Sequence, residues 1–97
     1  MKIERLKIPH YKHAYIKPTP KNVMVQLMHT HSEIVEAMHA CKNKDKADTA
    51  RELIDVIHSA TTGLIMLGYT GNKLHLVNYE IVGKNKQRGY IHDTDDV

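Results

Sequence analysis

The chain has 97 residues, a formal charge of +3, one cysteine, and neither Phe nor Trp. That length is one domain, and it buries too little surface alone to make sharing a core with other copies surprising. The lone Cys41 excludes an internal disulfide and the usual structural zinc sets, which fits a reducing cytoplasm. The charge is too mild to mark a nucleic-acid binder, so nucleic acid is not an expected partner. No run of about 18 apolar residues exists, so no membrane contact is expected. Met1-Lys2-Ile3-Glu4-Arg5 has no apolar stretch behind it, so no secretory leader is expected either.

Residues 1–18 read as an extended arm. Pro9 and the run Lys17-Pro18-Thr19-Pro20 forbid a continuous helix there. Thr19 is the predicted N-cap of a first helix, with Pro20 in its first position. This helix runs to about Asn43. Val23, Leu27, Ile34, Met38 and Cys41 form its apolar stripe. Cys41 reads as a core thiol, and His31 as a structural residue on the same stripe. Lys42-Asn43-Lys44-Asp45-Lys46 is a polar turn. Asp45 or Asp48 caps a second helix whose core face is Ala50, Leu53, Ile54, Ile57, Leu64 and Leu67. Gly68 stops it. Thr70 caps a third helix over roughly Asn72 to Lys86, with Leu74, Val77, Ile81 and Val82 facing inward. Gly89 ends that helix, and residues 91–97 form a fraying tail.

Two acid pairs carry the chemistry. Glu33 and Glu36 are three residues apart on the first helix, and Glu52 and Asp55 three apart on the second. The pairs are symmetric about Lys44. An antiparallel helical hairpin turning there brings Glu36 level with Glu52, and Glu33 level with Asp55. Four acids on one patch repel and raise one another's pKa. Their neighbours Ile34, Val35, Met38, Leu53, Ile54 and Ile57 are apolar, so the acids are half-sunk and need compensation. A hard divalent cation, Mg²⁺ or Mn²⁺, supplies it through oxygen ligands.

Lys84 and Arg88 stand one helical turn apart and both suit a phosphate chain. Asn85 suits a phosphate or sugar, and Tyr90 a stacked base. The bland reading of this group is a solvated basic helix end favoured by the macrodipole. His29 lies on the face of Glu33 and Glu36, and His58 one turn beyond Asp55. Both read as pocket walls or substrate contacts, and otherwise as residues behind the site or in the core with one ring nitrogen satisfied. A di-iron centre needs the Glu-x-x-His spacing on two helices, and Asp55-Val56-Ile57-His58 offers it on one. No Walker A or Rossmann glycine pattern is present.

Glu33-Ile34-Val35-Glu36, a gap of fifteen residues and Glu52-Leu53-Ile54-Asp55 resemble the ExxE…ExxD signature of the MazG-type all-α nucleoside triphosphate pyrophosphohydrolases. The run Lys84-Asn85-Lys86-Gln87-Arg88-Gly89-Tyr90 is similar to the third-helix ending of small, often phage-encoded, members. The resemblance covers about residues 20 to 90. Many members carry a further acid directly before the first glutamate, where this chain has Ser32. The resemblance implies an all-α domain whose four-helix core is completed in a homodimer or homotetramer. It implies Mg²⁺-dependent hydrolysis of a nucleoside or deoxynucleoside triphosphate to monophosphate and pyrophosphate. Glu33, Glu36, Glu52 and Asp55 are then the metal ligands, with Glu36 or Glu52 orienting the attacking water. Base contacts fall to a neighbouring chain or to the segment around Tyr11 and Tyr15. The alternative is a non-catalytic helical module that binds nucleic acid or a protein through its basic ends.

Overall fold

The computed structural model describes residues 7–91. They contain a 3₁₀ turn, Lys12–Tyr15, and three α-helices: α1 Pro20–Lys42, α2 Lys46–Met66 and α3 Gly71–Gln87. No strand occurs among the described residues, so the architecture is all-α. No helix among them is long and apolar enough to cross a membrane. Ile8–Gly68 forms one compact unit, and the chain on either side of it forms a second, of which Lys7 and residues 69–91 are described. Residues 1–6 of the expected arm and 92–97 of the expected tail lie outside the described residues.

Local chemistry sets the helix ends. Thr19 accepts a hydrogen bond from the Asn22 amide at 3.1 Å, and Pro20 opens α1. At the other end Lys44 takes φ +59, Lys44 N–H donates to Cys41 O, and Asp45 N–H donates to Ala40 O. Those two bonds and the left-handed residue make a Schellman stop. Asp45 serves twice, since its carboxylate also accepts from the Asp48 amide and opens α2. Thr70 precedes α3, but its hydroxyl does not cap, and the helix begins at Gly71.

In the Ile8–Gly68 unit α1 and α2 pack along their length, and the 3₁₀ turn packs on α2. The residues between them are not the expected apolar stripes. Ala37 and Ala40 of α1 are buried with Ser59, Thr62 and Met66 of α2, Gln26 of α1 and Ala14 of the turn. Leu27 is 55% exposed, Met38 63% and Leu53 53%. Ile34, Ile54, Leu64, Leu67, His31 and Cys41 are exposed as well. The physical reason is that α1 is apolar over most of its circumference, so periodicity leaves more than one candidate inner face. Small side chains settle the choice because they let the backbones approach: the Cγ of Gln26 packs 3.7 Å from where a Cβ on Gly63 would stand.

A directed hydrogen-bond network occupies the centre of this contact. Gln26 is 3% exposed, and its Nε2 donates to Ser59 O at 2.9 Å and Ser59 Oγ at 3.0 Å. A carbonyl only accepts, so the amide orientation of Gln26 is fixed and its Oε1 must accept. The donor to Oε1 is His13 Nε2, at 2.5 Å. Thr30 Oγ1 donates to Gln26 O at 3.1 Å, which leaves Ser59 to donate across the 2.7 Å contact with Thr30. Thr62, fully buried, accepts from the Tyr11 amide at 2.9 Å and donates to His58 O at 2.9 Å. Every buried hydroxyl in the network is satisfied, as buried polar groups require. The network also ties residues 11–15 to the helix pair. The arm expected to be extended is therefore a docked 3₁₀ turn over Lys12–Tyr15, because His13 and the Tyr11 amide have partners on α1 and α2.

The second unit is described by α3 and its ends. Leu74, Val77 and Val82 are half-buried, and Ile81 is exposed. Gly89 at φ +72, with Gly89 N–H to Lys86 O and Tyr90 N–H to Asn85 O, closes α3 in a second Schellman stop.

Candidate metal centre

Helical spacing sets Glu33 and Glu36 one turn apart on α1, and Glu52 and Asp55 one turn apart on α2. The two helices run past one another about the turn at Lys44. One carboxylate oxygen from each of Glu33, Glu36 and Glu52 lies within 4.8 Å of the others. Asp55 stands outside this close triad, but its charge acts on both Glu33 and Glu52.

The electrostatics follow from the crowding. Burial first, and then the neighbouring Glu36, raise the Glu33 carboxyl above its ordinary value, and Asp55 adds to the rise. His29 opposes it, with Nε2 3.4 Å from Glu33 Oε1. The Glu52 carboxyl is likewise raised, by burial first and then by Glu36, Asp48 and Asp55. Glu36 belongs to the same group, with one oxygen within 4.8 Å of an oxygen of each. Glu52 Oε2 is buried and receives no hydrogen bond from the described residues. A buried carboxylate oxygen without a donor is costly, and such an orphan in a native site calls for a reason.

A small divalent cation fits these residues. The donors are hard carboxylate oxygens from two helices, and a cation gives the orphaned Glu52 oxygen a partner while reversing the repulsion among the three acids. Among the described residues no thiol and no second imidazole joins the triad, and carboxylate oxygens alone suit a hard metal.

The N-terminal segment builds one wall of this region. The Tyr11 ring meets His29 edge-on with centroids 5.5 Å apart, and lies 5.5 Å from the His13 ring. Burial, then Glu33 and then Asp55 raise the Tyr11 hydroxyl above its ordinary value. Tyr15 points elsewhere: it is exposed, and its hydroxyl meets His10 Nε2 at 3.0 Å. His58 is half-buried, and its carbonyl, rather than its ring, is what Thr62 holds. Glu33, Glu36, Glu52, Asp55 and His29 are thus brought to one region of the Ile8–Gly68 unit. Lys84, Asn85, Arg88 and Tyr90 belong to the second unit, at the C-terminal end of α3. There Asn85 is half-buried and the other three are exposed.

Tyr11 aside, the residues that sequence reasoning passed over are His13, Gln26, Thr30, Ser59 and Thr62. Their signal was present: Gln26 interrupts Val23-Met24-Val25 and Leu27-Met28, and Ser59-Ala60-Thr61-Thr62-Gly63 is a small, polar stretch inside an apolar helix.

Comparison with family models, curated proteins and solved structures returns no match.

Proposed function

We propose that this protein is a divalent-metal-dependent nucleoside triphosphate pyrophosphohydrolase, of the MazG-like kind that its ExxE…ExxD spacing resembles. The observation that carries the reading is the convergence of Glu33, Glu36 and Glu52, with one buried Glu52 oxygen that no described residue hydrogen-bonds. Mg²⁺, or Mn²⁺ in its place, would be held by these three carboxylates and by Asp55 beside them. Bound there, such an ion supplies an acidified water and neutralises phosphate charge. Glu36 or Glu52 orients the attacking water and accepts its proton, since each remains a hydrogen-bond acceptor next to the others. His29 holds the Glu33 carboxylate in place, and Tyr11 shields that pair from bulk water. The products are a nucleoside monophosphate and pyrophosphate.

The assembly that suits this reading is a helical hairpin paired with a second copy into a four-helix core. Its support is the exposed apolar side of the helix pair, where Val23, Leu27, Leu64 and Leu67 line a groove of about 310 Å³. Leu27, Ile34, Leu53 and Ala60 continue that face at coiled-coil intervals.

Metal titration tests the metal part of the reading. At a hundred times its dissociation constant, Mg²⁺ stabilises the native state by about 2.7 kcal/mol. For a domain this size that is a rise in Tm of roughly 10–20 °C. Glu52→Gln is expected to lose most of the rise while remaining folded. A parent protein whose Tm ignores both Mg²⁺ and Mn²⁺ would leave the helical binding module as the better account.

A further inference from the structure

Tyr11 and His29 meet one contact away from Glu33, and neither holds its place alone. The His29 side chain is 42% exposed, and its Nε2 stands 3.4 Å from Glu33 Oε1. An exposed side chain on a helix changes rotamer within nanoseconds unless something packs on it. What packs on His29 is the Tyr11 ring, edge-on with centroids 5.5 Å apart. Held this way, the imidazole fixes the plane of the Glu33 carboxylate. Its N–H engages one oxygen and leaves the other for a cation.

Tyr11 is in turn held from a distance. Its amide donates to Thr62 Oγ1 at 2.9 Å, and that hydroxyl donates to His58 O. Two residues on, the His13 ring donates to Gln26 Oε1. Thr62 belongs to α2 and Gln26 to α1, so the segment ties one helix to the other. The acids straddle the same two helices, with Glu33 and Glu36 on α1 and Glu52 on α2. An ion shared by these acids and a segment bonded to both helices constrain one and the same helix pair.

Resting on the metal site proposed above, we infer that Tyr11 is a positioning residue for that site, and that docking of residues 11–15 and binding of the divalent ion are coupled. Tyr11 acts through its ring on His29, and His29 orients Glu33. Thr62 acts at one further remove, by pinning the Tyr11 amide. The coupling is reciprocal: the factor by which docking tightens the ion is the factor by which the ion tightens docking.

The test reads binding and not turnover. Mg²⁺ and Mn²⁺ are titrated calorimetrically into the full chain at fixed pH, far below the Tm. There a variant that is only less stable stays folded and keeps its affinity. Losing a group that orients a metal ligand weakens the metal by about 10–100-fold. Tyr11→Ala is expected at the lower end, about tenfold, and Tyr11→Phe, which keeps the ring, at the parent value. Thr62→Val, which keeps the shape and loses the hydroxyl, should weaken the ion as well, and Thr62→Ser should restore it. Exchange of the Tyr11 amide, followed by NMR, reports undocking directly, because that N–H is the one Thr62 holds. Saturating Mg²⁺ should slow this exchange in the parent by a factor comparable to the loss in Tyr11→Ala. Parent affinity in both Tyr11→Ala and Thr62→Val, or Tyr11 exchange indifferent to the ion, would overturn the coupling and leave the metal site standing. A parent that binds neither ion would sink the metal site and the coupling with it.

Discussion

Replacing Gln26 with Leu tests the polar centre of the helix pair. Leu keeps the stem that packs near Gly63 and the approximate volume, so little cavity term enters. What is lost is the pair of bonds from Nε2 to Ser59 O and Oγ and the bond from His13 to Oε1. Ser59 O keeps a helical partner, and Ser59 Oγ keeps Thr30, so neither is fully orphaned. His13 can turn to water. Each net bond is worth about 0.5–1.5 kcal/mol, and the added apolar burial offsets part of the sum. The expected destabilisation is about 2 kcal/mol, or a fall in Tm of roughly 8–16 °C. Urea denaturation of parent and variant measures it, at unchanged slope. Adding Ser59→Ala should cost less than the two single changes summed, because it removes the hydroxyl that Gln26→Leu deprives of its donor. Amide exchange across residues 11–16 should also speed up in Gln26→Leu, since His13 loses its anchor. A Gln26→Leu protein within about 0.5 kcal/mol of the parent, with an additive double variant, would refute the network's role.

Three further outcomes follow from the structure. Lys44→Gly should stabilise the protein by about 0.5–1 kcal/mol in a denaturant titration, because Lys44 holds φ +59 where glycine is unstrained. Ala40→Leu should cost about 1–3 kcal/mol by the same assay, because Ala40 is buried between the two helices and a larger side chain forces them apart. The metal-free protein should lose stability as pH rises. Glu33 and Glu52 titrate above the ordinary 4.5 when folded, so from about pH 4.5 up through their raised values the folded state binds more protons than the unfolded one. Their contribution is fully present below about pH 4.5 and is lost as pH passes through the raised values. Glu36→Gln should shrink this slope relative to the parent, as read from urea midpoints across the same pH series.

The helix ends were legible because capping is local. Thr19-Pro20, Asp45, Gly68 and Gly89 each act on backbone groups within a few residues, and each stands at the end the sequence indicates. The grouping of Glu33, Glu36 and Glu52 was legible for a related reason: helical period and the position of one turn suffice to bring them together. The inner face of the helix pair was not. Val23, Leu27, Ile34 and Met38 have the right spacing for a core, but so do Ala37 and Ala40 beside them. The choice rests on side-chain size and on how Gln26, thirty-three residues from Ser59, finds its acceptors. The docking of Tyr11 and His13 escaped for the same reason. It depends on Thr62 and Gln26, whose pairing no local pattern announces.

The most direct test of the central claim is pyrophosphate release from a panel of ribo- and deoxynucleoside triphosphates with Mg²⁺ or Mn²⁺, with Glu36→Gln measured alongside. The account predicts a one-to-one yield of monophosphate and pyrophosphate from at least one nucleotide, and loss of about two orders of magnitude or more in the variant, the scale of a group that orients the attacking water. No release from any nucleotide by a folded protein, or equal release by Glu36→Gln, would contradict it.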